Sequence, residues 1–199
     1  MALGAFIATF IKILLLLTPF FVVSYFMTTC ADMPLAAQRS LAVRTAMAVV
    51  SACLLLFFLG NIMFQYLGIT LDAFRIGAGV VLLLNGIDMV RGSIPRNRQE
   101  SGEADPAIVP LAIPVTVGPG TIGAMLVMSV ETPGFAEKGM SVLAIVLAGC
   151  CIGLMLFYCN AIEHILKSKG LAILSRLTGM YIVALAAQII FTGIHNMLH

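Results

Sequence analysis

The sequence predicts an all-α polytopic membrane protein, with six transmembrane helices forming two inverted-topology three-helix repeats in which helices 1 and 4 are broken. Three observations carry this. Of 199 residues, 61% are hydrophobic and only 10% are charged, against about 25% charged in a soluble domain, so polar side chains cannot coat a globular surface. The mean hydropathy is +1.08. The few charges bracket long uncharged runs. Two of those runs, at similar places in each half, carry proline and glycine where a spanning helix should be continuous.

The first span, near 8–30, lies between Lys12 and Asp32 and is interrupted at Thr18-Pro19. It lacks the basic start of a cleaved leader and its apolar run is long for one, so it reads as a retained helix. The second, near 46–67, occupies the uncharged run between Arg44 and Asp72. A third, near 73–91, is shorter and carries Arg75 and Asp88 close to its ends, from which charged side chains snorkel to the interface. A polar stretch at 92–106 (GSIPRNRQESGEADP) links the halves. The fourth span, near 107–130, contains Val109–Met128 (VPLAIPVTVGPGTIGAMLVM), with Pro110, Pro114 and Gly118-Pro119-Gly120 inside it. The fifth and sixth lie near 140–162 and 174–196. Each is close to the ~20 residues that cross a bilayer. The chain is one membrane domain, 1–199, with repeat 1 at 1–91 and repeat 2 at 107–199.

With the N-terminus outside, the inner loops hold Arg39, Arg44, Arg91, Arg96, Arg98, Lys167, Lys169 and Arg176, and the outer side holds Lys12, Arg75 and Lys138. This asymmetry follows the positive-inside rule and puts both termini outside the cytoplasm. Arg75 opens the third span in FRIGAGVVLLL and Arg176 opens the sixth in SRLTGMYIVAL, 101 residues later. The Thr18-Pro19 break precedes Pro119-Gly120 by about the same interval. An odd number of crossings per repeat turns the second copy upside down. Inverted repeats bring two broken helices together near the midplane around a substrate site.

The breaks follow from proline chemistry. Proline removes a backbone donor and clashes with the preceding turn, and unmet backbone groups in hydrocarbon are costly. Such breaks persist where they are buried in protein or line a polar cavity. The freed amides of a half-helix N-terminus favour a carboxylate and the freed carbonyls a cation or ammonium, so a zwitterionic amino acid satisfies both. The substrate-binding candidates are Thr18, Pro19, Asn85, Thr116, Gly118, Pro119, Gly120 and Thr121, with Asp88 as a coupling candidate. Asn85 and Gln188 are polar side chains inside spans that need partners. Asp88 and Arg91, at i and i+3, are placed to pair, and Asp72 to offset Arg75. Gly77, Gly79, Gly86 and the Gly149-x-x-x-Gly153 pair mark close helix contacts. Cys30, Cys53, Cys150, Cys151 and Cys159 read as small hydrophobes; no disulfide, metal or cofactor site is indicated. His195 and His199 read as part of a frayed end. No basic block suits nucleic acid, and no nucleophile–base pair marks an enzyme.

Ala107–Ile122 (AIVPLAIPVTVGPGTI), Gly68–Met89 (GITLDAFRIGAGVVLLLNGIDM) and Ser175–Ile194 (SRLTGMYIVALAAQIIFTGI) closely resemble the MarC family of six-helix membrane proteins, named from a multiple-antibiotic-resistance locus. The resemblance runs over essentially the whole chain. It implies a cytoplasmic-membrane secondary transporter moving a small neutral solute, best an amino acid such as alanine or glycine, by alternating access. Any coupling ion would be H⁺ or Na⁺, and the partners are the lipid bilayer, the small-molecule substrate and further copies of the chain. The competing reading is a non-transporting scaffold or accessory protein of the same fold. It draws on one departure: the family's first span carries Asn-Pro-x-Gly with a proline three residues on, where this chain has Thr18-Pro19-Phe20-Phe21 and Ser24.

Overall fold

The computed structural model describes residues 2–30, 33–92, 116–132 and 134–198, and every regular element among them is helical. The first span is two helices, α1 (Ala2–Leu16) and α2 (Pro19–Thr29). They part because Thr18 adopts the left-handed conformation, φ 51° and ψ 55°, just before Pro19 at the first helical position. Pro19 needs no amide partner there and its ring pre-sets the helical φ.

The second span, α3 (Leu35–Leu67), is 33 residues long, roughly 50 Å at ~1.5 Å per residue. It begins at Leu35, not near 46 as hydropathy suggested. Pro34 starts it, and Arg39 and Arg44 ride on turns that extend beyond the hydrocarbon. Gly68, at φ 63°, ends it. Next, α4 (Leu71–Arg91) is capped by Thr70, whose Oγ1 accepts from the Ala73 amide at 3.3 Å, and is closed by Gly92 at φ 73°. Asp72 in its first turn and Arg91 in its last oppose the helix dipole.

In the second half, α5 (Pro119–Glu131) follows Gly118. The expected first part of the fourth span, with Pro110 and Pro114, lies outside the described residues. Then come α6 (Phe135–Phe157) and α7 (Cys159–Leu198). The fifth span was expected to run unbroken through 140–162, but α6 stops at Tyr158, and the chain re-enters helix at Cys159. A second interruption falls at Lys167, φ 54° and ψ 166°. No proline or glycine marks the stop at Tyr158, which is why hydropathy ran through it, whereas Lys167 lies in the loop expected between the fifth and sixth spans.

Glycine contacts set how the helices pack. Gly86 and Gly179 back onto each other's carbonyls: a Cβ on either would stand 3.1 or 3.0 Å from the opposite oxygen. Contacts of Gly79 with Ala186 and Ile190, and of Gly193 with Asp72 and Arg75, show that α4 and α7 run antiparallel. Gly149 meets Val50 and Gly153 meets Ala46, so α6 lies antiparallel on α3. The G-x-x-x-G pair therefore packs within the monomer. Gly77 faces open space, against expectation.

Helix α5 is wedged between α4, where Gly123 meets Ala78, and α3, where Gly60 meets Leu126 and Ser129. Meanwhile α1 packs on α6 and α2 on α7. Ile13, Leu17, Val22, Phe26, Met125, Ile145, Ile152 and Ile182 fill the centre. Leu55, Phe58, Leu84, Leu154, Leu177 and Phe191 point outward, which suits hydrocarbon and not water. Five helical segments are long and apolar enough to cross a membrane, and Gly120–Glu131 is a shorter apolar helix beside them.

These directions define two ends of the bundle. The linker face carries Gly92 and the turn after α2; there Arg39 stacks on the Phe157 ring at 5.0 Å. At the terminal face lie the α3–α4 turn and the end of α7, where Asn196 donates to Asp72 at 3.1 Å.

Candidate functional site

A helix end leaves carbonyls or amides that its own backbone cannot satisfy. At the end of α1 the Leu17 amide returns to Ile13 O at 3.0 Å and the Thr18 amide to Leu15 O at 3.0 Å. The Leu16 carbonyl is met from the other half of the molecule: Thr121 Oγ1 donates to it at 3.2 Å, in the buried interior. The end of α1 and the first turn of α5, the places where breaks were expected from proline and glycine, are therefore in direct contact. Both half-helices that start here, α2 and α5, carry proline in the first turn and have no side-chain cap. Helix geometry leaves the amides of Phe20 and Phe21, and of Gly120 and Thr121, without intrahelical acceptors. Uncapped N-termini of this kind attract negative charge.

Gly120 is required by close approach. A Cβ there would lie 2.7 Å from Leu82 Cδ1, 3.0 Å from Leu82 Cα and 3.1 Å from Asn85 Nδ2. Asn85 is thereby brought to the break. Thr116 and Val117 are buried just before Gly118, while Thr18 is half-buried and Pro19 buried. Pro119 opens α5. Asp88, one turn beyond Asn85, is exposed toward the linker face and forms no ion pair with Arg91, which is also exposed. The expected i, i+3 pair fails because both side chains reach out of the bundle. Gln188 is exposed as well. Phe21 packs against the core, and Ser24 lines a cavity two turns along α2.

That cavity, of about 420 Å³, opens between the end of α2, the start of α3 and the start of α7. Its polar lining includes Ser24, Thr28, Gln38, Asn160 and Glu163. Gln38 Nε2 donates to the carbonyls of Cys30 and Met33, both at 3.0 Å, and Asn160 Nδ2 donates to Gln38 Oε1 at 3.1 Å. A smaller cavity, about 110 Å³, lies toward the terminal face between α1, α4, α5 and α7. Arg75 lines it, with Nη1 on Asp72 at 2.5 Å and Nη2 on Glu131 at 2.8 Å. The Asp72 pairing was foreseen from spacing. Glu131, Lys12, Gln38 and Glu163 were missed as site neighbours; the three charged ones sit near span ends, where hydropathy reads a charge only as a boundary, and Gln38 fell in an expected loop.

Residues 3–198 match the sequence profile of the MarC family integral membrane proteins. The chain belongs to the MarC family. It is 34% identical over 204 residues to a UPF0056 membrane protein of Methanocaldococcus jannaschii, covering 100% of both chains. The UPF0056 membrane protein YhcE of Escherichia coli K12 is 27% identical, over 93% of this chain and 89% of its own. The UPF0056 inner membrane protein YhgN of the same organism is also 27% identical, over 94% and 95% respectively. No solved structure matches. This MarC protein is thus an integral, multi-pass membrane protein.

The break also accounts for a feature of the family pattern. Asparagine tolerates the left-handed region far better than a β-branched residue does, and Thr18 holds φ 51° in this MarC protein. Replacing Thr18 with Asn should relieve roughly 1 kcal/mol of backbone strain. The expected result is a Tm a few degrees higher in detergent, measured by thermal exposure of the buried cysteine thiols.

Proposed function

We propose that this MarC protein is a secondary transporter that moves a small neutral solute, best a small neutral amino acid, across the cytoplasmic membrane by alternating access. The observation that carries the reading is the bond from Thr121 to Leu16 O, because it joins the end of α1 to the first turn of α5 in the protein interior. The antiparallel pairing of α3 with α6 and of α4 with α7 supports an inverted relation between the repeats. With Arg39, Arg44, Arg91 and Lys169 toward the linker face, the positive-inside rule supports cytoplasmic placement of that face and both termini outside.

The substrate contacts we assign are Thr18, Pro19 and Asn85 from repeat 1 and Thr116, Gly118, Pro119, Gly120 and Thr121 from repeat 2. In this reading the conformation faces inward. The larger cavity, beside Ser24 and Glu163, is the cytoplasmic vestibule. The opposite side is held shut by Arg75 with Asp72 and Glu131. H⁺ or Na⁺ is the coupling ion, with Asp88 the candidate carrier residue, and no enzymatic step is involved.

One observation favours the scaffold reading: Phe21 packs against the core where the family pattern has glycine. Uptake of labelled alanine, glycine and serine by liposomes holding the pure protein separates the two, with imposed H⁺ or Na⁺ gradients. Saturable uptake driven by one gradient is the expected result. Absence of both flux and binding across a broad solute panel would establish the scaffold instead.

A further inference from the structure

We infer that the 110 Å³ cavity at the terminal face is a recognition subsite for the two charged ends of a zwitterionic amino acid, with Arg75 and Lys12 for the carboxylate and Glu131 for the ammonium. This rests on the transport reading and places charge recognition beside, not within, the helix breaks.

The guanidinium supplies the first argument. Arg75 is only 8% exposed, and its two terminal nitrogens are committed to Asp72 and Glu131. Its Nε is buried without any partner, an unmet donor on a charged group inside the protein. Lys12 and Gln188 line the same space, so further donors converge on it; Thr192, also on the wall, donates its hydroxyl to the Gln188 carbonyl at 2.8 Å. A carboxylate there would face the Lys12 ammonium with the Arg75 guanidinium on the same wall, and a small turn of that guanidinium would bring its Nε–H to the guest.

Charge balance supplies the second. Lys12 and Arg75 are positive, Asp72 and Glu131 negative, so the group is neutral before a guest arrives. A lone anion or cation would leave net charge in a medium of low dielectric, which is expensive. A zwitterion pairs with both signs and adds none. Arg75 engages Oε1 of Glu131, and the second carboxylate oxygen is the acceptor for an ammonium.

Size and position agree. A volume of 110 Å³ is the share of about four waters at ~30 Å³ each, enough for an amino acid with a very small side chain. Lys12 is one helical turn before Leu16, and Ala124 is one turn after Thr121 on the wall of the cavity. The subsite therefore adjoins the Thr121–Leu16 contact and lies at the outer approach to the breaks.

The test is binding of labelled glycine to the full-length protein in detergent, with acetate and methylammonium as competitors, alongside glycine uptake in liposomes. On the unaltered protein each competitor should be weaker than glycine by about tenfold or more, since each lacks one charged contact of about that worth. Lys12→Gln should weaken glycine by about tenfold without lowering Tm, because Lys12 makes none of the cluster's ion pairs. Glu131→Gln should let acetate compete nearly as well as glycine, and Arg75→Lys should weaken both. Glycine transport that persists at unchanged affinity in Lys12→Gln and Glu131→Gln overturns the subsite and leaves the transporter standing. Acetate matching glycine on the unaltered protein overturns the zwitterion assignment in favour of an anion or water site. Loss of all amino-acid binding and flux from the unaltered protein overturns both readings.

Discussion

Gly120→Leu should reduce amino-acid uptake at least tenfold while leaving a folded, membrane-inserted protein. A Cβ at this position would stand 2.7 Å from Leu82 Cδ1 and 3.0 Å from Leu82 Cα. The side-chain atom can swing aside, but the backbone carbon of α4 cannot. Helix α5 must then move away from α4, and the hydrogen bond from Thr121 to the Leu16 carbonyl, already 3.2 Å long, is lost. Overpacking of this kind costs about 1–3 kcal/mol, which lowers Tm by a few degrees without unfolding the bundle. Gly77→Leu is the matched control, since nothing lies within 4 Å of its Cβ position. Its helical interior favours leucine over glycine by up to ~1 kcal/mol, so uptake should be unchanged and Tm the same or higher. Equal uptake by the Gly120 variant and the unaltered protein would remove the breaks from the transport path.

Arg75→Leu should be the most destabilising single change at the terminal face. It strips the partner from Asp72 and Glu131 together, the first lying one turn before Arg75 and the second at the end of α5. Breaking a buried ion pair costs about 3–5 kcal/mol. Because the Asp72 and Glu131 side chains are 27% and 38% exposed, solvent screening brings the expectation to about 2–3 kcal/mol. Adding Glu131→Gln removes one orphaned charge and should restore part of the loss. The buried thiols of Cys30, Cys53 and Cys159 provide the readout, through the temperature at which they react with a fluorogenic maleimide. A double variant no more stable than Arg75→Leu alone would mean that the Arg75–Glu131 contact contributes nothing to stability.

Helix interruptions and helix pairings differed in how far they could be read from residues. Pro19 and Gly118-Pro119-Gly120 announced breaks because proline acts on its own backbone, and the structure starts a helix at each proline. The stop at Tyr158 was silent, since that residue does not forbid a helix, whereas the interruption at Lys167 falls in the loop expected between the fifth and sixth spans. The start of α3 was misplaced for a related reason: hydropathy finds the apolar stretch, whereas helix continues through Arg39 and Arg44 in the polar zone. Asp88 and Arg91 had suitable spacing yet do not pair, because spacing does not say which way side chains point. Gly79, Gly86, Gly149 and Gly153 were recognised as contact residues, but their partners were not.

Membrane residence, the all-helical class and the helix starts at Pro19 and Pro119 were legible in the sequence alone. Apolar content and proline stereochemistry act through solvent and local backbone, and need no knowledge of the rest of the chain. Only the tertiary structure decided that Thr121 meets a carbonyl 105 residues away, that Arg75 reaches Glu131 across 56 residues, and that Lys12 shares their cavity. Hydropathy encodes depth along the membrane normal, not rotation about each helix axis. That rotation comes from small residues letting one backbone approach another, and it determines which polar groups converge.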